Sequence, residues 1–235
     1  MKFTVQKEVF DILPTVCIGV VVAKGVNNHG ENATIRALLA QQSTVAQAAF
    51  AGKKVKEDPA ITPYREAFSV LGINPNKYMC SIEALFTRIA KGAPMHSINP
   101  LVDLNNAVSL THTLPMGTHD LGIAEQDIEL RFARPGDHFT PFGADESETV
   151  PEGELVYAVG DDVRTRRWAW RQSEHGKITA ETNFVFFPID GFIGVNDDAV
   201  HTAAQHLARL LEEHFGCEVQ TGFIKAGQPE MEIIL

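Results

Sequence analysis

Apolar positions along the chain follow two periods, and the change between them falls near the middle. "TVCIGVVVA" (15–23) is continuously apolar and β-branched, the pattern of a strand covered on both faces. From Asn32 to Gly52 the spacing changes: Ile35, Leu38, Leu39, Ala46, Ala49 and Phe50 fall along one helical stripe, and Gly52 can end it. "TPYREAFSVLG" (62–72) predicts a further helix, with Thr62 as cap, Pro63 at the first helical position and Gly72 as stop. "CSIEALFTRIAKG" (80–92) repeats that logic with Ser81 and Gly92. "NPLVDLNNAVSLTHTLP" (99–115) opens on Asn99–Pro100 and closes at Pro115.

The second half reads differently. "DIELRFAR", "ELVYAVG", "VRTRRWAWRQ" and "TNFVFFPIDG" are short β-rich segments between Gly, Pro, Asp and His turns. Val200, Ala203, Ala204, Leu207, Leu210, Leu211 and Phe215 then mark a long amphipathic helix stopped by Gly216, and "CEVQTGFI" is a final strand. Helices precede strands without βαβ alternation, which predicts an α+β fold with a mainly antiparallel sheet region and packed helices. No linker stands out, so residues 1–235 are expected to form a single domain.

Composition narrows the choices. At 235 residues and 44% hydrophobic content the chain can bury a sizeable core. Its 30 acidic and 20 basic side chains give a net charge of −10, which argues against a broad electrostatic grip on nucleic acid. A local contact stays open, because Arg164, Arg166, Arg167, Arg171 and Lys177 form one dense basic patch. Cys17, Cys80 and Cys217 are odd in number and far apart, which disfavours a zinc site or disulfide framework and fits a reducing cytoplasm. The apolar run 15–23 is too short to span a bilayer and follows Glu8 and Asp11, where a signal peptide carries positive charge. A soluble cytoplasmic protein is expected.

Candidate chemistry gathers in three places. "PMGTHDLG" (115–122) is a glycine-punctuated turn presenting His119 beside Asp120. Gly117 and Gly122 allow backbone conformations that aim N–H groups at an anion or oxyanion, and His119 can orient a water; the alternative is a loop histidine bonded to the backbone. Asn105 and Asn106 sit mid-helix, where asparagine is a mediocre helix former, and face either a pocket or solvent. "RTRRWAWRQ" (164–172) on a strand places Arg164, Arg166, Trp168 and Trp170 on one face, fit for a phosphate and a stacked ring, or buries its tryptophans beneath snorkelling arginines. The remaining histidines make no ligand set, and no P-loop, G-x-G-x-x-G or G-x-S-x-G is present. Neither a metal nor a cofactor is expected.

Three stretches carry a family resemblance: "YREAFSVLGINPNKYMCSIEALFTRIAKG", "INPLVDLNNAVSLTHTLPMGTHDL" and "RTRRWAWRQSEHGKITAETNFVFFPIDG". Over about residues 60–194 the chain resembles the B3/B4 module of the phenylalanyl-tRNA synthetase β subunit, which hydrolyses mischarged tRNA, and the freestanding B3/4-domain proteins. The resemblance implies a mixed α/β module with a pocket for an aminoacyl group and the terminal adenosine of tRNA. It puts a binding role on Asn106. The family's editing-site histidine aligns with Gly117, and His119 lies two positions later. The glutamate that reads tyrosine's hydroxyl has no counterpart in "NFVFFPID", whose only acid is Asp190. Implied partners are the acceptor end of aminoacyl-tRNA or a small amino-acid-like ligand, with no DNA and no membrane. Three functions follow: a trans-acting deacylase, with Gly117 and His119 catalytic and Asn105, Asn106, Arg164, Arg166, Arg167, Trp168, Trp170 and Asp190 binding; a non-catalytic binding module; or a metabolic enzyme acting on a small amino-acid-like acid.

Overall fold

The computed structural model describes residues 1–93 and 95–235. In chain order it runs β1 (Lys2–Val5), α1 (Lys7–Ile12), β2 (Val16–Lys24), α2 (Ala33–Ala49), a 3₁₀ turn (Val55–Glu57), α3 (Thr62–Val70), α4 (Ser81–Ala90), α5 (Pro100–His112) and β3 (His119–Asp120). Strands β4 (Ile128–Phe132), β5 (His138–Phe139), β6 (Glu148–Thr149), β7 (Leu155–Val159), β8 (Asp162–Arg166) and β9 (Arg171–Gln172) follow. The chain closes with β10 (Phe184–Phe192), α6 (Asp197–Phe215), β11 (Glu218–Ile224) and β12 (Glu230–Glu232).

Among the described residues the strands form two sheets. The larger has the order β12-β1-β4-β7-β8-β5-β6 with β9 on β8; the smaller is β11-β2-β10-β3. Pairing is antiparallel apart from β1–β4 and β5–β8. The α+β class expected from the sequence is the fold observed. Strands are not confined to the second half, however, because β1 pairs with both β4 and β12 and carries the N-terminus into the larger sheet.

The smaller sheet is the middle layer. Cys17, Val21 and Ala23 of β2, with Val185, Phe187 and Ile189 of β10, pack against α5 and α6 through Leu104, Val108, Val200 and Leu207. Ile18, Val20 and Val22, with Phe186, turn the other way and meet Phe3, Leu130 and Tyr157 of the larger sheet. Alternate side chains of a strand face opposite sides, so covering both sides produces the continuous apolar run of 15–23. Each such buried Val or Ile contributes roughly 1.5–3 kcal/mol over its exposed form.

Helix starts differ in detail from the sequence pattern. Asn99 caps α5 as expected, accepting from the Val102 N–H at 3.0 Å. Thr62 and Ser81 do not cap: α3 and α4 begin after Ile61 and Cys80, which offer no side-chain bond. The Thr62 hydroxyl donates back to the Asp58 carbonyl (2.9 Å), and Ser81 faces a cavity. Among the described residues no helix is long and apolar enough to cross a membrane.

Candidate functional site

A cavity of about 200 Å³ lies where α5, the edge strand β3 and the even-numbered face of β10 meet the larger sheet. Asn105 and Asn106 come from α5, Gly117 and His119 from the β3 segment, Asp190 from β10, and Trp168 and Trp170 from the segment after β8. Seven of the ten residues singled out from sequence therefore meet around one space: Asn105, Asn106, Gly117, His119, Trp168, Trp170 and Asp190. Arg164, Arg166 and Arg167 are not among its lining.

The reason lies in the course of 164–172, which is not one strand. β8 ends at Arg166, the backbone enters the left-handed region at Arg167 (φ 48°) and Trp168 (φ 59°), and β9 returns antiparallel through Arg171. The expected shared face of Arg164, Arg166, Trp168 and Trp170 does not form. Trp168 instead turns inward, is fully buried, and donates its indole N–H to Asp190 Oδ1 at 2.7 Å. Its neighbours hold the turn: Trp168 N–H bonds Leu155 O (2.6 Å), and Ala169 O accepts the Ser81 N–H that opens α4 (2.8 Å).

The arginines are held in ion pairs. Glu154 takes both Nε and Nη2 of Arg166 at 2.8 Å and reaches Arg167 Nη2 at 3.3 Å; Glu148 takes Arg166 Nη1 at 2.5 Å. Arg164 lies buried with Nε 2.7 Å from Asp162. Arg171 alone of the four is exposed and lines the cavity, with no carboxylate partner among the described residues. The dense basic patch of the sequence is thus neutralised almost entirely from within.

Around the cavity several polar groups have no partner. Asn105 donates to Met116 O over a long 3.4 Å, but its Oδ1 is buried and unbonded. Neither ring nitrogen of His119 is bonded, which overturns the reading of a loop histidine tied to the backbone. The ring packs against Tyr157 and Phe186. Burial, with the Arg164 charge nearby, lowers its pKa to about 3, so the imidazole is neutral at physiological pH. Asp120, its sequence neighbour, is structural: it accepts from the Gly122 N–H (2.8 Å) and the Thr182 hydroxyl (2.6 Å).

Asp190 is the only acid among the lining residues. Its Oδ1 accepts from Tyr157 OH and Trp168 Nε1, each at 2.7 Å, and Oδ2 has no protein partner among the described residues. Burial pushes its pKa up to about 6 against the opposing effect of those two donors.

The N–H groups around Gly117, expected as donors to an oxyanion, differ in their partners. Gly117 N–H is committed to Pro188 O at 3.0 Å. β3 is the sheet's edge, and the next residue, Thr118, points its backbone to the open side, where its carbonyl accepts from Gln172 Nε2 and its N–H has no partner among the described residues. Thr118, Gln172 and Tyr157 carried no expectation from the sequence, and Arg171 carried one only as part of the basic patch. The one hint for Tyr157 is a hydroxyl in an otherwise apolar strand, "ELVYAVG".

Helices, the smaller sheet and the larger sheet stack in three layers, and the small cavity lies within an α+β module. The chain belongs to the B3/4 domain family, whose model matches residues 63–216. Its fold is similar to an N-terminal fragment of the phenylalanyl-tRNA synthetase beta-subunit from Pyrococcus horikoshii, with a TM-score of 0.51 and 12% identity. The match covers 92% of this chain and 49% of that fragment, so this chain spans about half the length of its structural neighbour. At that identity the likeness concerns the fold alone. No curated protein sequence matches the chain significantly.

Proposed function

We propose that the protein is a trans-acting aminoacyl-tRNA deacylase, hydrolysing the ester between a wrong amino acid and tRNA. The observation that carries this reading is the group of buried unpartnered atoms, Asn105 Oδ1 and both His119 ring nitrogens, facing a cavity with one carboxylate. A buried polar atom without a partner costs about 1–3 kcal/mol, and a ligand or an ordered water recovers it. Membership of the B3/4 family and the synthetase-like fold support tRNA as the direction in which to look. At about 200 Å³ the cavity suits an aminoacyl group and leaves the adenosine at the mouth, beside the Trp170 ring and the Arg171 cation.

An activated ester needs no protein nucleophile. Water adds to the carbonyl carbon, the tetrahedral oxyanion collapses, and the C–O bond to ribose breaks. The water's proton ends on the departing ribose oxygen, assisted by the neighbouring ribose hydroxyl. His119, too weak a base to remove that proton, holds the water through one ring nitrogen that accepts a hydrogen bond from it. Thr118 N–H is the donor for the oxyanion, and Asp190 Oδ2 receives the α-ammonium group. Asn106, on which the family resemblance puts a binding role, holds the ester end of the ligand. A non-catalytic binding module is the second reading, favoured by the same weak basicity of His119.

The test is deacylation of a panel of mischarged tRNAs, with correctly charged tRNAs as controls. Selective release of one amino acid, reduced about a hundredfold or more in His119→Gln and Asn106→Ala, is the expected outcome, the size being that of losing one transition-state hydrogen bond. If every ester survives at high enzyme concentration, binding becomes the function.

A further inference from the structure

With its arginine patch paired internally, the chain needs another surface to meet a polyanion. We infer that a groove lined by Lys53, Lys54, Lys56 and Lys91 is the docking surface for an RNA sugar–phosphate backbone whose end enters the cavity. This rests on the reading that the cavity takes the aminoacyl end of tRNA.

The groove, about 620 Å³, lies between the Val55 turn, α3 and α4. Five cations and one carboxylate line it, in a chain whose net charge is −10. Arg65 and Glu83 cancel, at 2.5 Å and largely out of solvent, and Lys54 meets Glu57 at 3.0 Å on exposed side chains. Lys53, Lys56 and Lys91 are exposed and have no carboxylate partner among the described residues. Three uncompensated ammonium groups around one concavity match a chain of phosphates.

The groove also leads somewhere. Pro75, Asn76 and Met79 form part of its wall, while Ser81, a few residues on, lines the cavity. Asn76 to Ser81 span at most about 18 Å even fully extended. Between them Tyr78 meets Trp170 edge-on at 4.8 Å, and the Arg167 guanidinium lies over both rings at 4.1 and 4.6 Å. Exposed Lys77 sits 5.2 Å from the Tyr78 ring centre. Arg65 fixes this path by donating to Pro75 O (2.9 Å) and Asn76 Oδ1 (2.7 Å). Exposed ammonium groups followed by an aromatic pair stacked with a guanidinium suit phosphates followed by bases, since bases stack on guanidinium planes as on rings, and this favours nucleic acid over an acidic protein.

The test compares the full chain with its K53Q/K56Q/K91Q variant, all three positions being exposed. Binding of uncharged tRNA is read by fluorescence anisotropy across a salt series. The variant should bind about tenfold or more weakly, with the log–log salt slope flatter by about 3, one unit for each phosphate that is no longer neutralised. Hydrolysis of an aminoacyl-adenosine ester, too short to reach the groove, should be unchanged. Equal affinity and slope in the two proteins, or no salt-sensitive tRNA binding by the wild type, overturns the groove whatever the ester assay shows. Displacement of tRNA by polyglutamate at equal charge overturns it in favour of an acidic protein partner. A wild type that cleaves neither ester yet loses tRNA binding in the variant leaves the groove standing and removes the deacylase reading.

Discussion

Asp190 stands between two donors, Tyr157 and Trp168, at a position almost closed to water. Burial raises its pKa from 3.8 to about 6, so between those values the folded chain holds more of this proton than the unfolded chain does. Stability from this group is therefore lost as pH rises, by about 3 kcal/mol in all. Asp190→Asn keeps an oxygen for both donors and removes the charge. Its expected effect is a gain of up to about 3 kcal/mol at pH 7, read by urea unfolding and absent at pH 4. In the same variant KM for the ester should rise about 10–100-fold with kcat little changed, the mark of a lost charge-assisted bond to substrate. A less stable variant with unchanged KM would make Asp190 a purely structural residue. None of this was visible in "NFVFFPID" beyond the presence of one acid, because Trp168 and Tyr157 reach Asp190 from other parts of the chain.

At the level of elements, the turn after β8 and the seat of α6 show what local pattern can and cannot convey. Left-handed backbone costs a non-glycine residue roughly 1–2 kcal/mol, so nothing in "RRWA" announces a reversal at Arg167 and Trp168. Burial of the indole and the Glu154 ion pairs offset that cost, and both come from distant residues. The seat of α6 was half legible: its apolar stripe was clear, its partner was not. Val200 packs where Gly19 of β2 and Gly191 of β10 have no side chain. A Cβ on Gly19 would lie 2.6 Å from Val200 Cγ1. Gly19→Ala should cost about 1–3 kcal/mol by overpacking. Combined with Val200→Ala the loss should be less than the sum of the two, with a coupling of about 0.5–3 kcal/mol in a double-mutant cycle. Strict additivity would mean the helix does not rest on that glycine gap.

At the scale of the whole molecule, two buried groups of the cavity push the acid response in opposite directions. His119 has its pKa lowered from 6.5 to about 3, so its contribution is complete above pH 6.5 and is lost as pH falls toward 3, about 5 kcal/mol in total. Asp190 returns about 3 kcal/mol over pH 6 to 4 and partly cancels that loss. Unfolding free energies measured from pH 7 to 4 should therefore fall less in the wild type than in Asp190→Asn, and least in His119→Leu. Parallel curves for the wild type and His119→Leu would show that His119 does not titrate as a buried neutral group. The charge map belongs to this scale too. "RTRRWAWRQ" looked like the one basic patch, yet Asp162, Glu148 and Glu154 neutralise three of its four arginines, and "KKVK" (53–56) leaves the exposed cations.

By itself the sequence determined the α+β class, most of the long elements and the burial of β2 on both faces. Those properties are written in residues a few positions apart, as periods of 2 and 3.6. Tertiary structure alone decided that Trp168 is core, that Gly117 N–H is taken and Thr118 N–H is open, and which cations remain free. Such outcomes depend on desolvation and on partners such as Glu154, Pro188 and Asp190, which only folding brings within hydrogen-bonding distance.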